Sequence, residues 1–289
     1  MSDSGKNVVN ALSFDIEDWF HLVEIEAVAD PRKWPGLPSL VERETDRIVE
    51  AVSRANAKAT FFVLGWIAER YPKLVRRIAD AGHELGTHSY WHRRVDQLSP
   101  GEFRADLRQS IDTIEQAGGQ KVCGFRAPSF SITPGAEWAF DVMHDAGLTY
   151  DASLFPAPRG HGGYPCPQQP HLFTKAPSGR AMPELPMSVL RHGPAKLPFS
   201  GGGYLRVLPP AVIRHGFAHF HRRNLPVVVY LHPRDFAPDG PRVPMPWRRR
   251  FKCYVGLHTT RPKLDMLLRR YRWGTCANVL QSAGTWLNP

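Results

Sequence analysis

The sequence predicts an α/β fold, a barrel of parallel strands wrapped by helices. Three observations lead there. Short apolar runs alternate with longer amphipathic stretches through the first half of the chain. With 289 residues the chain can bury a sizeable core, and an α/β barrel of that length is commonly one domain. Ionisable residues also recur where the apolar runs stop: Asp15 and Glu17, His88, Arg126, Asp151 and His232. In a parallel barrel the C-terminal strand ends form one rim, and chemistry assembles there.

The first run, Val8 to Leu12, reads as a buried strand closing in Ser13-Phe14-Asp15-Ile16-Glu17-Asp18. A loop with Pro31, Pro35, Gly36 and Pro38 follows. Ser39 is placed to cap a helix over about 40–56, with Glu42 completing a capping box. Residues 59–65 form a second strand, and Pro72 opens a helix that Gly82 ends. Residues 83–89 are a third strand. A long amphipathic helix over about 100–117 stops at Gly118-Gly119. Residues 122–125 and 148–151 are strands flanking a helix over about 134–146. Residues 156–183, rich in Pro, Gly and His, break the rhythm and read as a long loop or insertion. Strands are expected at 184–190, 204–208 and 226–232, with helices over about 211–224 and 262–272.

Composition narrows the function classes. The formal net charge is +10, much of it late, in Arg248-Arg249-Arg250-Phe251-Lys252 and Arg269-Arg270-Tyr271-Arg272. Such faces attract polyanions or anionic lipid. No helix-turn-helix, RNA-binding aromatic signature or zinc finger accompanies them, so no nucleic-acid partner is expected. No apolar run is long enough to span a bilayer. Met1 to Lys6 is polar and carries no secretory signal, and Cys123, Cys166, Cys253 and Cys276 lack metal-finger spacing. A cytoplasmic protein with reduced thiols is the expectation.

The motifs carry the chemistry. Crowded carboxylates at Asp15, Glu17 and Asp18 are costly to bury unless they share a cation or a proton. Asp15 and Glu17, two apart on a strand, share a face. His88 and His92, four apart, fit one face of a helical turn and can reach one ion. Two imidazoles and a carboxylate leave coordination positions open for substrate; zinc fits, as do cobalt, nickel, manganese and ferrous iron.

With these motifs the chain resembles the polysaccharide deacetylases with a NodB-homology domain, carbohydrate esterase family four. The acidic motif is Ser13 to Asp18, the His-Ser-x-x-His motif His88 to His92, and the Arg-x-Pro motif Arg126-Ala127-Pro128. Asp151 corresponds to the fourth motif, without its frequent tryptophan, and Tyr230-Leu231-His232-Pro233 loosely to the fifth. Gly201 to Arg206 and the tail from Pro241 look like a subgroup found with bacterial exopolysaccharide loci. The resemblance implies a distorted (β/α) barrel of about seven parallel strands. It places a deacetylase domain at 1–240 and an extension packed on the barrel at 241–289. Ile16 stands where many members carry the metal-binding Asp, so Glu17 and Asp18 both remain candidates beside His88 and His92.

The implied activity is metal-dependent removal of N-acetyl groups from N-acetylhexosamine units of a bacterial polysaccharide or its lipid-linked precursor. Asp15 would be the base and His232 the acid; Arg126 would orient Asp15, and Asp151 would orient Arg126 or His232. A backbone N–H near Tyr90 or Trp91 would help stabilise the oxyanion. Trp19, Tyr90, Trp91 and Phe130 are candidates for stacking on a sugar or for core packing. A metal-free amidohydrolase acting on a cyclic amide, and a non-catalytic polymer-binding module, are the competing classes; the complete residue set argues against both. The basic cluster at 248–252 is expected either to pair with acidic residues and dock the tail, or to hold the enzyme at the anionic inner face of the membrane. Docking is the reading favoured from sequence.

Overall fold

The computed structural model describes residues 8–286, apart from Glu24, Arg159, His161 and Pro194. Its centre is β1 (Val9–Ile16), whose run VNALSFDI is buried at nearly every position. Burial on both faces is what a central parallel strand requires, and it explains the absence of polar alternation. On one side β1 pairs with β10 (Val228–Leu231), on the other with β2 (Thr60–Val63). The sheet continues through β3 (Glu84–Thr87), β4 (Gly124–Phe125), β5 (Tyr150–Asp151) and β7 (Met182–Glu184), all parallel. Strand β6 (His171–Phe173) closes the edge antiparallel to β7, and β11 (Arg272–Gly274) pairs with the start of β1. A separate hairpin joins β8 (Val189–His192) to β9 (Ala195–Pro198). The main sheet is a curled, mostly parallel half-barrel.

Helices cover its outer face: α1 (Val41–Arg54), α2 (Gly65–Arg70), α3 (Pro72–Asp80), α4 (Pro100–Gly118) and α5 (Trp138–Asp145). Then come α6 (Gly202–Val207), α7 (Pro210–His221), α8 (Trp247–Tyr254), α9 (Thr260–Arg270) and α10 (Cys276–Ser282). Helix α4 starts with a Ser99–Glu102 capping box and ends at Gly119 with φ 70°. The core between sheet and helices is aromatic-rich, with Phe14, Phe61, Phe103, Phe125 and Phe140 fully buried. Each such ring contributes about 1.5–3 kcal/mol by leaving water. No helix among the described residues is long and apolar enough to cross a membrane.

Several expectations need correction. Ser39 does accept the Val41 N–H of α1 on its Oγ, at 3.3 Å, but its partner is Asp18 and not Glu42. The Asp18 carboxylate shares the cap, accepting from the Leu40 and Val41 N–H groups and from the Ser39 hydroxyl. The strand expected at 204–208 is helix α6. The Tyr230 ring sits where a side chain at Gly201 would have to go, and Gly202, at φ 45°, turns the chain into the helix. The strand expected at 184–190 is split between β7 and β8. Elements α2, α8, β11 and α10 escaped the sequence reading. The tail therefore adds β11 to the barrel's own sheet.

Candidate active site

The functional residues converge because parallel strands deliver their C-terminal ends to one rim. A cavity of about 730 Å³ opens there, lined by Asp15, Glu17, His21, His88, His92 and His232 among others. Arg126, fully buried, leaves the end of β4 and reaches β1: its Nη1 donates to Asp15 Oδ1 and to Ser13 Oγ, each at 2.8 Å. Its Nε donates to the Ala152 carbonyl, and its guanidinium lies 4.3 Å from the Phe62 ring centroid. Packing on an aromatic face and pairing with a carboxylate make burial of this cation tolerable. Asp15 is thereby fixed with Oδ2 facing His232 Nε2 at 3.8 Å.

Glu17, His88 and His92 present ligand atoms that all lie within 4.8 Å of one another. His88 Nδ1 is 2.8 Å from the Arg126 carbonyl. A carbonyl only accepts, so Nδ1 carries the proton and Nε2 keeps a free lone pair. Glu17 Oε2 is buried 2.6 Å from His92 Nε2, yet has no hydrogen-bond partner among the described residues. That orphaned contact fits atoms gathered around a cation. Burial alone would raise the Glu17 carboxyl, but His92, His232 and Arg234 hold it well below the usual range. Burial pushes the His88 imidazole down to about 4, which keeps it neutral and able to ligate.

The His88–His92 segment is a loop and not the helical turn that spacing suggested: Ser89 has φ 67° and His92 φ 57°. Asp106 of α4 holds it, taking the Tyr90 N–H at 2.7 Å and the Trp91 N–H at 3.2 Å. Those two N–H groups are thus committed, and the oxyanion role expected of them is not supported. Tyr90 is buried with its hydroxyl on Glu69, and Phe130 packs on Phe155 and Tyr230.

Two further predicted residues are placed elsewhere. Asp18 lies outside the cluster because its oxygens are engaged at the start of α1. Asp151 orients neither Arg126 nor His232. Its carboxylate takes the Ser153 hydroxyl and N–H, and pairing of β5 with β7 sets Glu184 against it. Burial raises both carboxyls, that of Glu184 well above its ordinary range.

The partner of His232 is Asp235, three residues on. Its Oδ2 accepts from His232 Nδ1 and from the His232 N–H, both at 2.9 Å. Its Oδ1 accepts from Arg206 Nη1 at 2.5 Å.

Residues 35–150 match the polysaccharide deacetylase family, and residues 152–281 match a domain of unknown function, DUF3473. Residues 35–150 thus carry the likeness to polysaccharide deacetylases. A peptidoglycan-N-acetylglucosamine deacetylase of Bacillus cereus is 33% identical over 119 residues, 37% of this chain and 43% of that protein. One from Listeria monocytogenes is 40% identical over 75 residues, 26% of this chain and 16% of that protein. The chain thus spans less than half the length of these curated relatives. A crystal structure titled putative polysaccharide deacetylase, from Mycobacterium smegmatis, shares the fold with a TM-score of 0.65 at 19% identity, covering 100% of this chain and 96% of that one. A family-four pseudoenzyme from Bacillus anthracis shares it at 0.51 and 18%, covering 95% and 66%.

Sequence reasoning missed Arg206, Arg234, Asp235 and Asp106. Asp235 had a local signal, an acid three residues after His232 at the start of a turn. Arg206 sat in a motif singled out only by resemblance. Arg234, whose Nε lies 3.6 Å from Glu17 Oε1, and Asp106 had none.

Proposed function

We propose that this protein is a metal-dependent N-deacetylase acting on N-acetylhexosamine units of a bacterial surface polysaccharide or its lipid-linked precursor. One observation carries the reading: the Arg126-held Asp15, the Glu17–His88–His92 cluster and His232 share one cavity. Glu17, His88 and His92 would hold the divalent cation, zinc or another first-row ion. When bound it supplies Lewis acidity toward water and the acetyl carbonyl.

The chain's own groups do the rest. Asp15, acceptor-only while Arg126 holds its other oxygen, takes the proton of the attacking water. His232 gives a proton from Nε2 to the sugar nitrogen as the C–N bond breaks, so acetate and a free amine leave. The lone pair of Nε2 faces Asp15 Oδ2 at 3.8 Å, a short path for the proton. The test is acetate release from a panel of peptidoglycan fragments, chitooligosaccharides and lipid-linked N-acetylated sugars, with metal-loaded and chelated protein. Chelator-sensitive acetate release is expected; none from any substrate with loaded protein overturns the reading.

Helix α8 supports peripheral contact with an anionic membrane, the alternative to docking. It buries no side chain, Trp247 is 74% exposed and Phe251 58%, one turn apart. Among the described residues, no ion pair joins Arg248, Arg250 or Lys252 to an acidic group. Arg248, Phe251 and Lys252 also line the cavity mouth. Aromatic and basic residues on one helix suit an interfacial position, and each cation contributes about 1 kcal/mol near an anionic leaflet. Co-sedimentation with anionic vesicles, lost in high salt or on changing Arg248 and Arg250 to Gln, is the expected result. A place in exopolysaccharide synthesis is consistent with it.

A further inference from the structure

The segment matched only to a domain of unknown function contains His232, Asp235 and Arg206. It also contains what holds them. Arg206 is 5% exposed and is gripped at both ends. Its Nη2 donates to the Lys252 carbonyl at 2.7 Å, at the end of α8. Its own carbonyl accepts from Lys263 Nζ at 2.5 Å and Thr259 Oγ1 at 2.9 Å, both in the stretch that starts α9. Lys263 Nζ also holds the Leu205 carbonyl at 2.8 Å. Gly256, at φ 67°, passes so close that a Cβ there would lie 2.9 Å from the Arg206 carbonyl oxygen. Of its other two nitrogens, Nη1 donates to Asp235 and Nε has no partner among the described residues.

Asp235 is buried and ionised, held low by Arg206 and His232 against the opposing effect of burial. A carboxylate only accepts, so the atom it faces, His232 Nδ1, must carry a proton. Nε2 is then the nitrogen left toward Asp15 and Glu17, 3.8 Å from each.

We propose that Arg206 is a positioning residue for His232. Clamped by the C-terminal segment, it fixes Asp235, and Asp235 fixes the imidazole as the Nδ1–H tautomer with Nε2 toward the reacting centre. The segment of unknown function is then the frame of the acid side of the site. This rests on the deacetylase reading for its kinetic part alone.

The experiment pairs kinetics with the tautomer. Nitrogen-15 spectra of histidine-labelled, zinc-loaded protein, with the His232 signals assigned by H232Q, report which nitrogen is protonated. In the wild type Nδ1 should be protonated. In Arg206→Met both tautomers should be populated, kcat should fall roughly 10²-fold with KM within about twofold, and zinc content should be unchanged. Arg206→Lys should recover part of the rate, since an ammonium still reaches one acceptor. Adding Arg206→Met to Asp235→Ala should cost little more, because the first acts through the second. Lys263→Met, which touches only the main chain around Arg206, should give a smaller fall of the same kind. An unchanged tautomer and kcat in Arg206→Met, or additive losses in the double variant, overturn the proposal. Should the wild type release no acetate from any substrate, the deacetylase reading fails, while the spectra still decide the clamp.

Discussion

Glu17 and Glu84 are carboxylates at opposite ends of the same sheet, the first buried and the second half-buried. Glu84 begins β3, paired in register with Thr60 of β2, so it lies on the N-terminal side. Glu17 follows the last residue of β1 and lies at the C-terminal rim. Glu84 is surrounded by neutral donors: Thr60 Oγ1 at 2.5 Å, Tyr150 Oη at 2.9 Å and the Ala277 N–H. Burial raises its carboxyl. Glu17 has two histidines and Arg234 around it, and its carboxyl is held low. Desolvation opposes the charge of both; the neighbours decide the direction in which each carboxyl is pushed. One end of the sheet is built to keep a charge, the other to pin α10.

That contrast can be broken most severely at Glu17. Glu17→Ala should lose both bound metal and turnover, read by metal analysis and acetate release. Asp18→Ala, one residue away, should keep both and lose only the support of α1, about 1–2 kcal/mol in chemical denaturation. Metal loss in Asp18→Ala with retention in Glu17→Ala would reverse the assignment.

Asp15→Asn sharpens the rim side further. The amide still accepts from Arg126, so metal content should hold while kcat falls roughly 10²–10⁴-fold. A near-normal rate would remove Asp15 from proton transfer.

The other side is probed through His83, next to Glu84 and buried with neither ring nitrogen partnered among the described residues. Burial, aided by Lys58, lowers its imidazole to about 4. Its unfolded value is about 6.5, so between those values the unfolded chain takes a proton that the folded one refuses. Stability should therefore fall as pH drops from about 6.5 to 4, by roughly 2–3 kcal/mol from this residue. His83→Leu should flatten denaturation midpoints across that window; an unchanged slope would show that His83 does not titrate there.

The smallest effect is expected at Glu84 itself. Glu84→Gln keeps an amide oxygen as acceptor among the neutral donors Thr60, Tyr150 and the Ala277 N–H, and should cost only about 1 kcal/mol in thermal or chemical unfolding, with metal content and kcat unchanged. A loss of turnover would mean that the two ends of the sheet are coupled.

The sequence by itself determined the parallel strands β1 to β5 and β10, most of the helices, and Asp15, Glu17, His88, His92, Arg126 and His232 as residues that meet at the rim. Apolar runs specify buried strands locally, and parallel pairing then forces their ends to one side. It did not decide which neighbour each polar group would find. Asp18 and Glu17 are one residue apart, but Asp18 meets the start of α1 22 positions later, whereas Glu17 meets His92. Asp15 finds Arg126 across 111 positions, and Asp151 finds Ser153 and Glu184 where Arg126 or His232 was expected. The partner of His232 is Asp235, held from α6 and the tail by Arg206. Strand periodicity is a property of the chain; the ionisation and aim of a buried side chain are set by whatever tertiary packing brings within about 3–4 Å of it.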